Sequence, residues 1–167
     1  MGAVTSGAFN TSSGYSSMVL TTTGSSNAVL GYYALSANRT GSNNAIVGSA
    51  AMGQNGSATS TTAIGESAAY GLGAYSNQGG VYVGYRAGFS AGDGSDYNTL
   101  VGYRSGYGVT TGARNVFVGN STIAASYNQV TTGSNNIAIG NDVAVSSATA
   151  NNQLVIGNLI YGQGLNG

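Results

Sequence analysis

One residue pair recurs along this chain and leaves it little freedom of fold: a branched aliphatic followed directly by glycine. The pair ends at Gly31, Gly48, Gly65, Gly84, Gly102, Gly119, Gly140 and Gly157, at intervals of 17, 17, 19, 18, 17, 21 and 17 residues. Self-similarity at a short fixed period marks a solenoid, in which a repeat buries its apolar surface only by stacking on its neighbours. One structural unit is therefore written eight times.

Three columns precede the glycine. Directly before it stand Leu30, Val47, Ile64, Val83, Val101, Val118, Ile139 and Ile156. Two before it stand Val29, Ile46, Ala63, Tyr82, Leu100, Phe117, Ala138 and Val155, all apolar or aromatic; three before it stand Ala28, Ala45, Thr62, Val81, Thr99, Val116, Ile137 and Leu154. Short β-branched runs bounded by Gly, Asn and Ser read as strands. Alternation along a strand places the first and third columns on one face and the middle column on the other. The reading assigns the Leu30 to Ile156 column to the coil core, and the Val29 to Val155 column to an outer face.

Asn occupies the position four before the glycine at Asn27, Asn44, Asn98, Asn115 and Asn136. Asn tolerates turn conformations and can bond to its own copies one coil above and below. Gly24, Gly41, Gly112 and Gly133 mark the preceding corner, while Ala34, Ala51, Ala68, Ala87 and Ser105, three after the glycine, give a second inward wall. The expected fold class is all-β: a parallel β-solenoid of about eight coils, near 24–40, 41–57, 58–76, 77–94, 95–111, 112–132, 133–149 and 150–167. At about 4.8 Å per strand the rod would be about 40 Å long. Residues 1–23 keep no clean register and are expected to form a cap or a junction to a preceding module, and "GLGAYSNQGG" and "AASYNQVTT" read as polar loops.

An outward apolar stripe along the whole rod is seldom left in water. Cyclic packing of the stripe would cover it, so a closed homo-oligomer with Val29, Ile46, Ala63, Tyr82, Leu100, Phe117, Ala138 and Val155 at its interface is expected, and periodicity does not choose the number of chains.

Composition then limits the chemistry. Charged residues make up 5% of the chain, 29 residues are Gly, and Pro, Cys, Trp, His and Lys are absent. There is no thiolate or imidazole for nucleophilic or zinc chemistry, no lysine for a Schiff base, and no disulfide framework. The expectation is a non-enzyme without cofactors. Four arginines are too few and too scattered for a nucleic-acid partner. No run is long enough for a membrane-spanning helix, so direct membrane insertion is not expected. "MGAVTS" fits the short myristoylation pattern and is read as chance, and no basic and apolar signal sequence precedes the repeats.

The segments "NAIVG", "TAIG" and "IAIG", each with a small residue three positions on, resemble the repeats of the trimeric β-roll heads of autotransporter adhesins. "GYYALSANRTGSNNAIVG" resembles repeats of phage tail fibres and of tail-fibre-like trimeric bacterial adhesins, and "NNQLVIGNLIYGQGLNG" is similar to segments that lead into further fibre modules. The likeness covers residues 24–167. It implies a homotrimer of left-handed β-rolls within a longer extracellular, cell-surface or virion fibre, with a surface glycan or receptor as partner.

One stretch carries a candidate site. "GYRAGF" and "GYRSGY" place Tyr85 near Tyr103 and Arg86 near Arg104 in register, and the loop between them supplies Asp93 and Asp96. Two readings stand open: a surface salt-bridge cluster, or a groove in which aromatic faces stack on sugar and the arginines hold an anion. "DGSD" lacks the tandem acidic repeat of calcium-binding rolls, so no metal is expected, and the two aspartates have no partner at glycosidase spacing, which leaves structural turn residues as the expectation against those two roles. Asn10, Asn38, Asn55 and Asn120 open glycosylation sequons in numbers that composition alone supplies. The Thr runs fall in only some corners and make a poor ice-binding face. The functional expectation is a non-enzymatic trimeric fibre or adhesin segment, with a self-polymerising solenoid filament as alternative and a polysaccharide-depolymerising tailspike fragment behind it.

Overall fold

Each aliphatic triplet forms a three-residue strand in the computed structural model, which describes residues 6–73, 75–121 and 130–157. The strands are β1 (Thr11–Ser13), β2 (Ala28–Leu30), β3 (Ala45–Val47), β4 (Thr62–Ile64), β5 (Val81–Val83), β6 (Thr99–Val101), β7 (Val116–Val118), β8 (Ile137–Ile139) and β9 (Leu154–Ile156). They pair in parallel and in chain order, β1 to β9, as one sheet. Equivalent residues lie side by side, with Val29 beside Ile46 and Leu100 beside Phe117. The chain is thus an all-β parallel β-solenoid, without helix among the described residues.

The first coil begins earlier than expected. Residues proposed as a cap or junction contain β1, which pairs with β2, and Asn10 and Met18 take up the equivalent ladder and core positions. Polar Thr11, Ser12 and Ser13 replace the aliphatic triplet, which hid the register in the sequence. The "MGAVTS" motif, most of "AASYNQVTT" and the last ten residues lie largely outside the described residues.

Corners are built from left-handed backbone. The column glycine has φ of 147° at Gly31 and 130° at Gly65. A Cβ on Gly31 would also overlap the Gly48 carbonyl oxygen of the next coil, so both conformation and spacing demand glycine. Two residues later a left-handed residue recurs, at Tyr33, Ala50, Ser67, Arg86 and Arg104, with φ between 52° and 54°. Such non-glycine conformations cost about 1 kcal/mol or more each and persist where surrounding bonds hold them.

The strand face that points inward is the opposite of the one expected. The middle column is buried: Val29, Ala63, Tyr82, Leu100, Phe117 and Ala138 are core residues, Ile46 is 0% exposed, and Val155 is half-buried. The column assigned to the coil core faces out: Leu30 is 53%, Val47 42% and Ile64 43% exposed, Val118 and Ile139 are exposed, and Val83, Val101 and Ile156 are half-exposed. Alternation fixes which residues share a face but not which face is inner. The decisive clue is parity: Asn27 lies two residues before Val29, on the same side, and both are buried.

The buried Asn column is a ladder. Asn27 Oδ1 accepts from the backbone N–H of Asn44 at 3.1 Å and from its Nδ2 at 2.8 Å, and Asn44 Oδ1 accepts from Thr61 N–H at 3.0 Å. Asn98, Asn115, Asn136 and Gln153 continue the pattern at 2.8, 2.9 and 2.8 Å. Each amide thereby satisfies a buried backbone donor that the corner leaves without a ladder partner.

Core volume is balanced within each coil. Opposite the middle column, six residues on, stand Leu35, Met52, Ala69, Gly88 and Gly106. Where Val29 and Ile46 are of medium size, Leu35 and Met52 fill the remaining space; where Tyr82 and Leu100 are large, glycine faces them. A Cβ on Gly88 would overlap the Tyr82 ring, and one on Gly106 would meet Leu100. Ala63 and Ala69 are both small, and Tyr75 enters that region, buried, its hydroxyl donating to the Ala69 carbonyl. The stretch "GLGAYSNQGG", expected to bulge as a polar loop, therefore places Tyr75 and Asn77 in the core.

Candidate functional site

The residue after the column glycine lies at the corner that leaves the strand. In chain order it is Tyr15, Tyr32, Ser49, Glu66, Tyr85, Tyr103, Asn120 and Asn141. Register there is locked by backbone bonds, Arg86 N–H to Glu66 O at 2.9 Å and Arg104 N–H to Tyr85 O at 2.8 Å. Parallel stacking of identical positions brings the expected quartet together. Tyr85 and Tyr103 stack with ring centroids 5.2 Å apart and planes within 17°.

A second aromatic column runs beside the first: Phe89 stacks on Tyr107 at 5.0 Å and on Tyr70 at 5.3 Å. The arginines stand between the two columns. The Arg86 guanidinium carbon is 5.0 Å from the Tyr85 centroid and 5.2 Å from Phe89; that of Arg104 is 5.4 Å from Tyr103 and 5.6 Å from Tyr107. Both side chains are half-buried, and each Nε is buried without a hydrogen-bond partner. At one coil's spacing, about 5 Å, the two charges repel by about 1 kcal/mol in water and about 3 kcal/mol at the higher field of a protein surface. Ring faces on both sides offset part of that cost.

Asp93 and Asp96 do not join the quartet. They lie on the stretch that enters β6, where Asp93 Oδ1 accepts from Ser76 N–H at 2.6 Å and Asp96 Oδ1 accepts from Gln78 N–H at 2.9 Å. Their carboxylates cap the backbone of the preceding coil. The geometry gives them turn roles, one of the readings expected of them, and not a place in a salt-bridge cluster or a sugar groove.

Sequence reasoning missed the neighbouring aromatic column, although Phe89 and Tyr107 share a register position five residues past the glycine. It also missed a three-tyrosine patch near the N-terminal end: Tyr15 stacks on Tyr32 at 5.7 Å, and Tyr32 meets Tyr33 edge-on at 4.5 Å. The repeated position after the glycine was the available signal.

Two tyrosines are structural. Burial pushes the Tyr82 phenol up to about 12, against the lowering effect of its bonds with Ser95, Asn98 and Asn77. Tyr82 accepts from Asn77 Nδ2 at 3.1 Å and donates to the Ser95 carbonyl at 3.2 Å. Burial raises Tyr75 further, with Tyr82 adding to the effect. Neither is poised for proton transfer near neutral pH. Among the described residues no group of three or more acidic side chains is placed to hold a metal.

No protein-family model, curated protein or solved structure matches the chain. The functional reading accordingly rests on its own surfaces: an aromatic and arginine corner, and an exposed aliphatic strand face.

Proposed function

We propose that the chain is a segment of a trimeric extracellular fibre or adhesin, a non-enzymatic rod of left-handed β-rolls that presents a surface for glycan or receptor attachment. The observation that carries this reading is the outer strand face. Leu30, Val47, Ile64, Ile137, Ile139 and Leu154, 61% exposed in the last case, form one aliphatic stripe along the sheet. Its three-residue width and its eight-strand length, β2 to β9, give about 10 Å by 35 Å. A continuous apolar strip of roughly 350 Å² marks an interaction surface. Because the strip runs parallel to the rod, identical copies can cover it around a shared axis, and three is the number that the resemblance to adhesin and tail-fibre repeats implies. The same likeness implies a cell-surface or virion location and further fibre modules for the proposed rod.

A second reading has its own support. The sheet order leaves β1 and β9 each paired on one side only among the described residues, and open strand edges are templates for end-to-end polymerisation. Sedimentation over a dilution series separates the two. A constant mass of three chains supports the fibre segment; growing open-ended species support the filament, and a single-chain mass contradicts both. For the depolymerase alternative, Asp93 and Asp96 are occupied with backbone N–H groups, and no observation favours it.

A further inference from the structure

We infer that Arg86 and Arg104, held between two aromatic columns, form a binding site for the sulfate or carboxylate substituents of an acidic glycan. The inference rests on the fibre reading only for the source of the ligand, a cell surface. Three features carry it. First, the guanidiniums are like charges one coil apart, and among the described residues neither donates a hydrogen bond to the protein. With each Nε buried, the outer Nη donors are left for an external acceptor, and an oxyanion that bridges both guanidiniums relieves their repulsion.

Second, the pair is pre-organised. Tyr85 and Phe89 flank one guanidinium at 5.0 and 5.2 Å, and Tyr103 and Tyr107 flank the other at 5.4 and 5.6 Å. Stacking restricts the rotamer freedom of a long side chain before the ligand arrives, which reduces the entropy lost on binding. Third, the arrangement is local. The same corner position holds Ala50, Ser67 and Ser121 in neighbouring coils, so the double charge is a feature of two coils and not of the repeat. Tyr103 is exposed and Asn120 follows it in the same column, giving a ring and an amide beside the charges. That combination suits a substituted sugar better than a bare ion.

The test is titration of the assembled protein with dextran sulfate, polygalacturonate, uncharged dextran and polyphosphate, with sedimentation run on the same samples. At least one acidic polysaccharide should bind, uncharged dextran should not, and Arg86→Gln with Arg104→Gln should weaken binding at least tenfold. Arg86→Lys with Arg104→Lys, which keeps charge but loses the planar fork, should weaken it several-fold. Sulfate and carboxylate sources are told apart by which polymer binds. Equal binding by the double Gln variant, no binding by either acidic polymer, or Arg-dependent binding of polyphosphate at equal affinity would each overturn the inference. Should the variants fail to fold, NMR of the wild type serves: Arg Nη–H resonances that stay still under a saturating acidic oligosaccharide overturn it, and shifts confined to two arginines support it. A three-chain mass without glycan binding defeats this site alone, whereas a one-chain mass defeats the fibre reading.

Discussion

The coils around β2 and β3 and those around β5 and β6 have the same outline but reach it by different means. In the former, Val29 faces Leu35 and Ile46 faces Met52, and an unbroken run from Asn10 through Asn27 and Asn44 satisfies the corner. In the latter, Tyr82 and Leu100 face glycines, and the ladder column holds Thr61 and then Gly80 before Asn resumes at Asn98. A Cβ on Gly80 would overlap the Tyr82 ring, and the Tyr82 hydroxyl bonds Asn77 and Ser95 near the ladder's course. One aromatic residue thus combines core filling with corner hydrogen bonding. The lesson is that the coils share a cross-section through balanced side-chain volumes, not through residue identity.

Exchanging the two solutions between the coils should have the largest effect. Tyr82→Ala should lower unfolding free energy by about 3–5 kcal/mol, because the pocket is closed by glycine and cannot be refilled from the facing wall. Tyr82→Val with Gly88→Leu recreates the Val29 and Leu35 pairing and should recover part of that loss, since Leu35 already adopts the left-handed backbone of position 88, φ 50° against 60°. Guanidinium unfolding midpoints decide it; a double variant less stable than Tyr82→Ala would show that volume balance is not what holds these coils.

A smaller effect is expected in the ladder. Asn44→Ala leaves buried Thr61 N–H without its acceptor and should cost about 1–3 kcal/mol. Gly80→Asn, which restores the repeat consensus, should nevertheless destabilise, because Tyr82 fills that space. A stabilising Gly80→Asn in the same unfolding assay would contradict the reciprocal roles assigned to the two regions.

A comparable effect separates the regions by pH. Tyr82 has a folded pKa raised above its ordinary value of 10.0 to about 12, and Tyr75 is raised as well. Above pH 10 the unfolded chain releases protons that the fold retains, so stability is fully present below about pH 10 and declines as pH rises toward 12. The slope is about 1.4 kcal/mol per pH unit for each tyrosine. Melting temperatures between pH 9 and 12 should fall less steeply in Tyr82→Phe; an unchanged slope would show that Tyr82 ionises freely in the fold.

How much of this was legible follows from what periodicity encodes. Strand positions, parallel register and the stacking of Tyr85 on Tyr103 come directly from the spacing of the aliphatic and glycine pairs, since equal intervals put equal positions side by side. Inside and outside did not. Ile46 and Val47 are equally apolar, and only the buried Asn two residues before Ile46 distinguishes their faces. Tyr75 was hidden because it arrives in a longer interval, outside the columns, and fills space that two alanines leave. The aromatic wall of Phe89 and Tyr107 shows in the sequence only as a shared position five residues past the glycine, and the acidic residues between the two coils, Asp93 and Asp96, bond backbone amides and not the arginines.

The central claim is that the middle residue of each strand faces its own coil and the residue after it faces sister chains. A chain without native cysteine permits a direct test by single substitution at adjacent positions. Under mild oxidation Val47→Cys should give disulfide-linked chain pairs on a non-reducing gel, while Ile46→Cys stays unlinked and resists thiol labelling until the protein is unfolded. Links through position 46, or a freely labelled and unlinked position 47, would contradict the account.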